Sequence, residues 1–347
     1  MKRIHLLLLT LLVLPPVVLG GDIEQQLAKR RFTEIAKQGD AAVDGLLTYI
    51  RTTDLSQTAD QQEWLRLSSR KGGAVFALGH VGTPRALSEL QKFLEQPEGS
   101  PEERAIYKQA ALGALRVMVL QGHQRAEALA LAQKALAQPD LVTTALGQLA
   151  QMGDRSSVAL IRPIFERAGE LWVKNSAASA LARLGDASVV PHLTAEIERL
   201  RNFVPGAIYF DPSGYEGLSY LAGESASVRD RLRDELIRYA PAFDTAQGRY
   251  PVHRAAQGLL RADALTVELL VKILTLPADA GGVRYALDGL RHTHDAERMR
   301  RLLDQAVATP EVKAAWSKFG EPKAADLRAE AAKPLRGPEM GHIILAE

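Results

Sequence analysis

Cysteine is absent from all 347 residues. That excludes disulfides, cysteine nucleophiles, thiolate zinc sites and iron–sulfur clusters together. It also excludes a lipid anchor carried on cysteine. No Gly-x-Ser-x-Gly elbow, phosphate-binding Walker loop or His-Glu-x-x-His stretch occurs, and no His-Glu dipeptide exists anywhere. Past residue 20 no window reaches the ~18 apolar residues of a membrane helix. Aromatic residues make up only 5% of the chain. What is present is ordinary for a folded protein: 46% hydrophobic and 24% charged residues, enough to bury a large core and to exclude wholesale disorder.

Residues 1–20 read MKRIHLLLLTLLVLPPVVLG. Lys2 and Arg3 give a short positive start, Leu6 to Leu14 is an apolar run broken only by Thr10, and Pro15 and Pro16 end it. This is the layout of a secretory signal, with a cut expected after Gly20 or Gly21. The run is too short to cross a ~30 Å hydrocarbon core, so no membrane span is expected after cleavage. An exported protein, periplasmic or secreted, is the expectation. Removing Lys2 and Arg3 leaves 41 basic residues against 41 acidic ones. A chain with no net charge and interspersed signs is a poor nucleic-acid binder.

The body of the chain repeats itself, the first thing to seek in a long sequence. Gly82-Thr83-Pro84-Arg85-Ala86-Leu87, Gly153-Asp154-Arg155-Ser156-Ser157-Val158 and Gly185-Asp186-Ala187-Ser188-Val189-Val190 share one plan. Counting from each glycine, apolar residues recur at +5, +8 and +12. They are Leu87, Leu90 and Leu94, then Val158, Ile161 and Phe165, then Val190, Leu193 and Ile197. Those offsets mark one face of a helix. Another apolar helix precedes each glycine. The glycine suits a left-handed position closing that helix, and the Thr or Asp after it suits a cap on the next. Gly122 lies 40 residues after Gly82 and 31 before Gly153, Gly185 lies 32 after Gly153, and Asp263 and Asp295 begin later units 32 apart. A helical-pair repeat of this length marks an α-solenoid.

The phrases ALGHVGTPRAL, LAQMGDRSSVALI and SALARLGDASVVPHL resemble the short HEAT-like repeats first named from phycobilisome lyases. The resemblance implies an all-α superhelix of paired helices. It does not fix an activity, because the wider superfamily includes scaffolds, lyases, hydroxylases and DNA-repair proteins. The iron-dependent hydroxylases use His-Glu pairs, which this chain lacks, and the glycosylases need a basic face. The expected organisation is a signal at 1–20, capping helices at 21–57 starting at Asp22 and near Asp40, repeats at 58–201, an irregular aromatic-rich insertion at 202–227, further repeats at 228–333 and a loose tail at 334–347.

The insertion reads NFVPGAIYFDPSGYEGLSYLAGESAS. Its prolines and glycines, Gly214 and Gly217 among them, are turn chemistry. Residues 203–250 hold 8 of the chain's 19 aromatics. Tyrosine gives rigid amphipathic contact area, so Tyr209, Phe210, Tyr215 and Tyr220 are the expected binding residues for a protein or peptide partner in the cell envelope. No catalytic residue, metal or cofactor is expected. The alternative is an envelope enzyme or metal-binding protein using Asp211, Glu216 or the His292/His294 pair. At i and i+2 two imidazoles on a helix do not face each other, and no third ligand accompanies them.

Overall fold

The structure, a computed structural model, describes residues 19–55, 60–201, 213–239, 246–291 and 293–335. Most of the signal layout, Tyr209, Phe210, Asp211, His292 and the tail beyond residue 335 lie outside the described residues. Among the described residues there are α-helices, short 3₁₀ turns and no strand. The chain divides into two units, 1–152 and 153–347.

The first unit holds α1 (Leu19–Ala28), α2 (Phe32–Ala36), α3 (Asp40–Thr52), α4 (Gln61–Val81), α5 (Pro84–Glu95), α6 (Pro101–Gln121), α7 (Arg125–Lys134) and α8 (Val142–Met152). Helices α2, α4, α6 and α8 pack side by side as one layer, and α3, α5 and α7 back them. The second unit holds α9 (Val158–Arg167), α10 (Leu171–Arg183), α11 (Val190–Arg201), α12 (Ser213–Leu221), α13 (Ala226–Tyr239), α14 (Ala246–Arg261), α15 (Val267–Thr275), α16 (Ala280–Arg291), α17 (Ala296–Ala308), α18 (Pro310–Ser317) and α19 (Glu321–Ala331). Here α10, α12, α14, α16 and α19 form one layer, backed by α9, α11, α13, α15 and α17. Each unit is thus a stack of helical hairpins, the all-α solenoid arrangement expected from the repeat.

The turns work as their residue types dictate. Gly82, Gly122, Gly153 and Gly185 all have positive φ, between 69° and 85°, where a Cβ is strained. Thr83, Asp154 and Asp186 then accept backbone N–H bonds at the start of the next element. Leu90, Ile161 and Leu193, the central members of the three apolar stripes, are fully buried. Asp295 caps α17, as its place in the repeat requires. Asp263 does not cap. It takes the left-handed turn position itself, at φ 56°, and Thr266 caps α15 by accepting from the Leu269 amide. Asp22 falls inside α1, and α3 starts at Asp40 behind Gly39, so the N-terminal segment forms three helices rather than two.

The insertion reading needs the larger revision. Residues 213–227 are not irregular: α12 is a regular member of its layer, lying between α10 and α14. Its glycines are packing residues. A Cβ at Gly217 would fall 2.6 Å from Leu193 Cδ1, and one at Gly214 would fall 3.0 Å from the Leu193 carbonyl oxygen. Glycine here lets α12 approach α11 closely, a use that composition does not distinguish from a turn.

Candidate functional site

Helices α10, α12 and α14 are neighbours in one layer, and their C-terminal ends bring three side chains together. Arg183 is the last residue of α10, Tyr220 is in the last turn of α12, and Arg261 is the last residue of α14. Each arginine stands two residues before a left-handed turn residue, Gly185 (φ 85°) or Asp263 (φ 56°), so the repeat itself sets their positions. Gly258 permits the close approach of α14 to α12, since a Cβ there would lie 2.8 Å from Ser219 Cα. That contact places Arg261 at the end of α12, where its Nη1 donates to the Ser219 carbonyl oxygen and hydroxyl at 3.3 Å.

Both guanidiniums lie over the Tyr220 ring, with each Cζ 4.7 Å from the ring centroid. Arg183 Nη1 also donates to the Tyr220 hydroxyl at 2.5 Å. Such cation–π contacts are worth about 0.5–1 kcal/mol each at exposed sites. Tyr220 is half-buried, while Arg183 and Arg261 are exposed. Desolvation, together with the like charges of Arg183 and Arg254, holds Arg261 below its ordinary pKa. Neither Arg183 nor Arg261 has a carboxylate partner among the described residues. Arg162, Arg231 and Arg291 of the same unit are ion-paired, to Asp186, to Glu198 and Glu235, and to Asp288 and Glu330. Two further arginines border the cluster: Arg254 pairs with Glu216 at 3.7 Å, and Arg298 pairs with Asp263 and donates to the Leu260 carbonyl at 3.0 Å.

The two described members of the expected binding set face different ways. Tyr220 belongs to the cluster. Tyr215, five residues earlier and therefore well round the helix, is fully buried. Its hydroxyl donates to Glu235 Oε2 at 3.0 Å, and its ring meets Tyr239 edge-on at 6.4 Å. Arg231 Nε reaches the other Glu235 oxygen at 3.2 Å, so Tyr215 belongs to a buried polar network joining α12 to α13. It supports the helix that carries Tyr220 and offers no surface of its own. His294 is exposed, and its pKa is lowered, by desolvation first and by the charges of Arg261 and Arg298 besides. Tyr220 and His294 therefore share Arg261 as a neighbour. Two guanidiniums beside an imidazole repel a metal cation, and among the described residues no three His, Asp or Glu side chains converge. Nothing in the residue types marks Arg183 and Arg261 out among the chain's arginines. The one available signal was their shared repeat position, visible only after the units are aligned.

Residues 71–96 match the family model of the PBS lyase HEAT-like repeat. A HEAT-like repeat is present there. No curated protein matches it. HEAT-like repeats commonly serve as protein-interaction scaffolds. The matched stretch runs from Lys71 in α4 through the end of α5, one helical hairpin of the first unit. Beside this HEAT-like hairpin lies a cavity of about 620 Å³, walled by Leu47, Ile50, Phe93, Pro97 and Tyr107. Lys71 and Glu103 also line it, paired at 2.7 Å with 6% and 17% of their side chains exposed. Lys71 Nζ donates as well to the Thr53 carbonyl at 2.7 Å, and the Tyr107 hydroxyl donates to Glu103 at 3.3 Å. The ammonium thus ties α4 to α6 and to the chain leaving α3. Two of its three donors are spent on the protein, which reads as structure rather than chemistry.

Proposed function

We propose that this HEAT-like repeat protein is an exported, non-enzymatic scaffold of the cell envelope that binds a protein or peptide partner. The observation that carries the reading is Tyr220, an aromatic ring held rigid between two exposed guanidiniums on a stack of helical hairpins. Tyr and Arg are the residue types enriched where interfaces concentrate their binding energy, and a pre-ordered ring gives up little entropy on binding. Tyr209 and Phe210, which precede α12 in the sequence, belong to the proposed contact set with Tyr220. Export is supported by the N-terminal signal layout. A cut after Gly20 or Gly21 would leave Ile23 and Leu27, the first buried side chains described, in the mature chain.

The test is a crosslinking pull-down from the envelope fraction. Wild type is compared with the triple replacement of Tyr209, Phe210 and Tyr220 by alanine. A partner captured by wild type and lost with the triple variant is expected. Equal capture by both overturns the assignment of the contact set. N-terminal sequencing of the exported chain should begin at Gly21 or Asp22, and a mature chain still starting at Met1 would remove the envelope from the reading.

An enzyme or metal site at Glu216 or His294 gains no support from the geometry. Glu216 is engaged by Arg254, and the surroundings of His294 are cationic.

A further inference from the structure

Arg183 and Arg261 present an electrostatic problem that the fold does not solve. Two like charges share one aromatic ring, and each Cζ is 4.7 Å from its centroid. The ring's quadrupole offsets part of their repulsion, and it fixes both guanidiniums in place. The nearby carboxylates are already committed, Glu216 to Arg254 and Asp263 to Arg298. What remains is two exposed, pre-positioned forks of N–H donors, neither of them in a salt bridge with a described carboxylate.

We propose that Arg183 and Arg261, set across Tyr220, form a recognition site for the side-chain carboxylates of an acidic segment on the protein partner. This rests on the scaffold reading and adds the chemistry of the partner. Guanidinium donors match planar oxyanions in a bidentate manner, and charge-assisted bonds of this kind are roughly twice as strong as neutral ones. Phosphate, although tetrahedral, also offers two oxygens to a guanidinium fork. Two free charges suit a pair of carboxylates better than an anionic lipid surface, which calls for clusters of about four to eight basic residues. Tyr220 holds the two guanidiniums in place for that contact.

The test uses the full mature chain and fluorescence anisotropy of a fluorescein-labelled hexaglutamate peptide, with hexaserine and hexalysine peptides of the same label alongside. Wild type should bind hexaglutamate and neither of the others. Arg183→Gln should weaken that binding about tenfold or more, the worth of one charged hydrogen bond. Arg183→Glu should abolish it. Arg183 has Tyr220 as its only described partner, so these variants leave the packing intact. Arg301→Gln, which removes an exposed charge on α17, should bind like wild type. Wild type that does not bind hexaglutamate overturns the proposal, as does equal weakening by Arg301→Gln. Binding of inorganic phosphate at millimolar concentration, measured by isothermal titration calorimetry, with no hexaglutamate binding, overturns it in favour of a phosphate site. The envelope pull-down separates the two readings. If Arg183→Glu keeps the partner that the aromatic triple variant loses, acidic recognition fails and the scaffold stands. If neither variant loses a partner, acidic recognition and the aromatic contact set both fail.

Discussion

Lys71 gives up nearly all of its water on folding, with 6% of its side chain exposed. Burying an ammonium is tolerated only with a close opposite charge and filled donor sites, and Glu103 and the Thr53 carbonyl supply both. Burial pushes the Glu103 carboxyl up, but the Lys71 ammonium and the Ser100 amide outweigh it and hold it below the ordinary carboxylate range. Removing one partner strands the other. Lys71→Met is therefore expected to cost about 3–5 kcal/mol, and Lys71→Met with Glu103→Gln to recover most of that loss. Urea denaturation of the four proteins in the cycle measures it, and an additive double variant would show that the two groups act independently. The sign with pH follows from the depressed Glu103 value: its contribution is present above about 4.3 and disappears as pH falls through the folded value. The histidines act earlier on acidification. His80 stacks on Phe32 at 5.4 Å and meets Phe76 edge-on, and burial lowers its pKa. His294 is lowered by desolvation and by Arg261 and Arg298, against a smaller opposing pull from Asp295. In both cases the unfolded chain takes up the proton more readily. Their stability contributions are full above about 6.5 and are lost as pH falls through the folded values. NMR titration should show both ring midpoints below 6.5, and a midpoint above that value would contradict the surroundings described for that ring.

Within the helices, glycine is used in three ways, and each has a different cost of replacement. Gly73 and Gly79 share α4. A Cβ at Gly73 meets nothing within 4 Å, whereas one at Gly79 would lie 2.4 Å from the Ala114 carbonyl oxygen of α6. Gly73→Ala is expected to stabilise by about 0.5–1 kcal/mol through helix propensity alone. Gly79→Ala forces α4 and α6 apart against backbone and is expected to destabilise by at least ~1–3 kcal/mol. Unfolding midpoints of the two variants, followed by far-ultraviolet circular dichroism, should move in opposite directions. The third use is the left-handed turn at Gly82, Gly122, Gly153 and Gly185, and that one was legible in the sequence because spacing and cap recur together. Gly214 and Gly217 were not legible as packing residues. Glycine permits both a turn and a close helix approach, and only the position of Leu193 on the facing helix decides between them. The same limit shaped the site. Tyr220 stood out by type, whereas Arg183 and Arg261 come from helices far apart in the chain and meet only through stacking on α12. Tyr215 was grouped with Tyr220 by composition, yet the helical turn between them sends one ring into the core and the other to the cluster.

At the scale of the whole chain, a stack of hairpins has contacts mainly between neighbours: α4 packs on α6, α6 on α8, α10 on α12 and α12 on α14. Stability in such an array is close to a sum of hairpin terms and nearest-neighbour terms, without one shared core. A local lesion should then loosen its own neighbourhood first and leave distant hairpins protected. Gly79→Ala provides the lesion, because it strains the α4–α6 contact directly and touches nothing in the second unit. Native-state hydrogen exchange of the variant against wild type should show faster exchange in α4 and α6, a smaller change in α3, α5 and α8, and none in α14 and α16. The complementary lesion, Gly258→Ala, presses a Cβ to 2.8 Å from Ser219 Cα and should invert the pattern, loosening α12 and α14 while α4 and α6 keep their protection. Uniform loss of protection along the chain from either variant would mean that both units unfold as one cooperative body, and the nearest-neighbour account would fail. Gly258→Ala carries a second consequence. The α12–α14 contact is what brings Arg261 to Tyr220, so this variant should weaken hexaglutamate binding although it changes no charge, while Gly79→Ala should leave that binding intact.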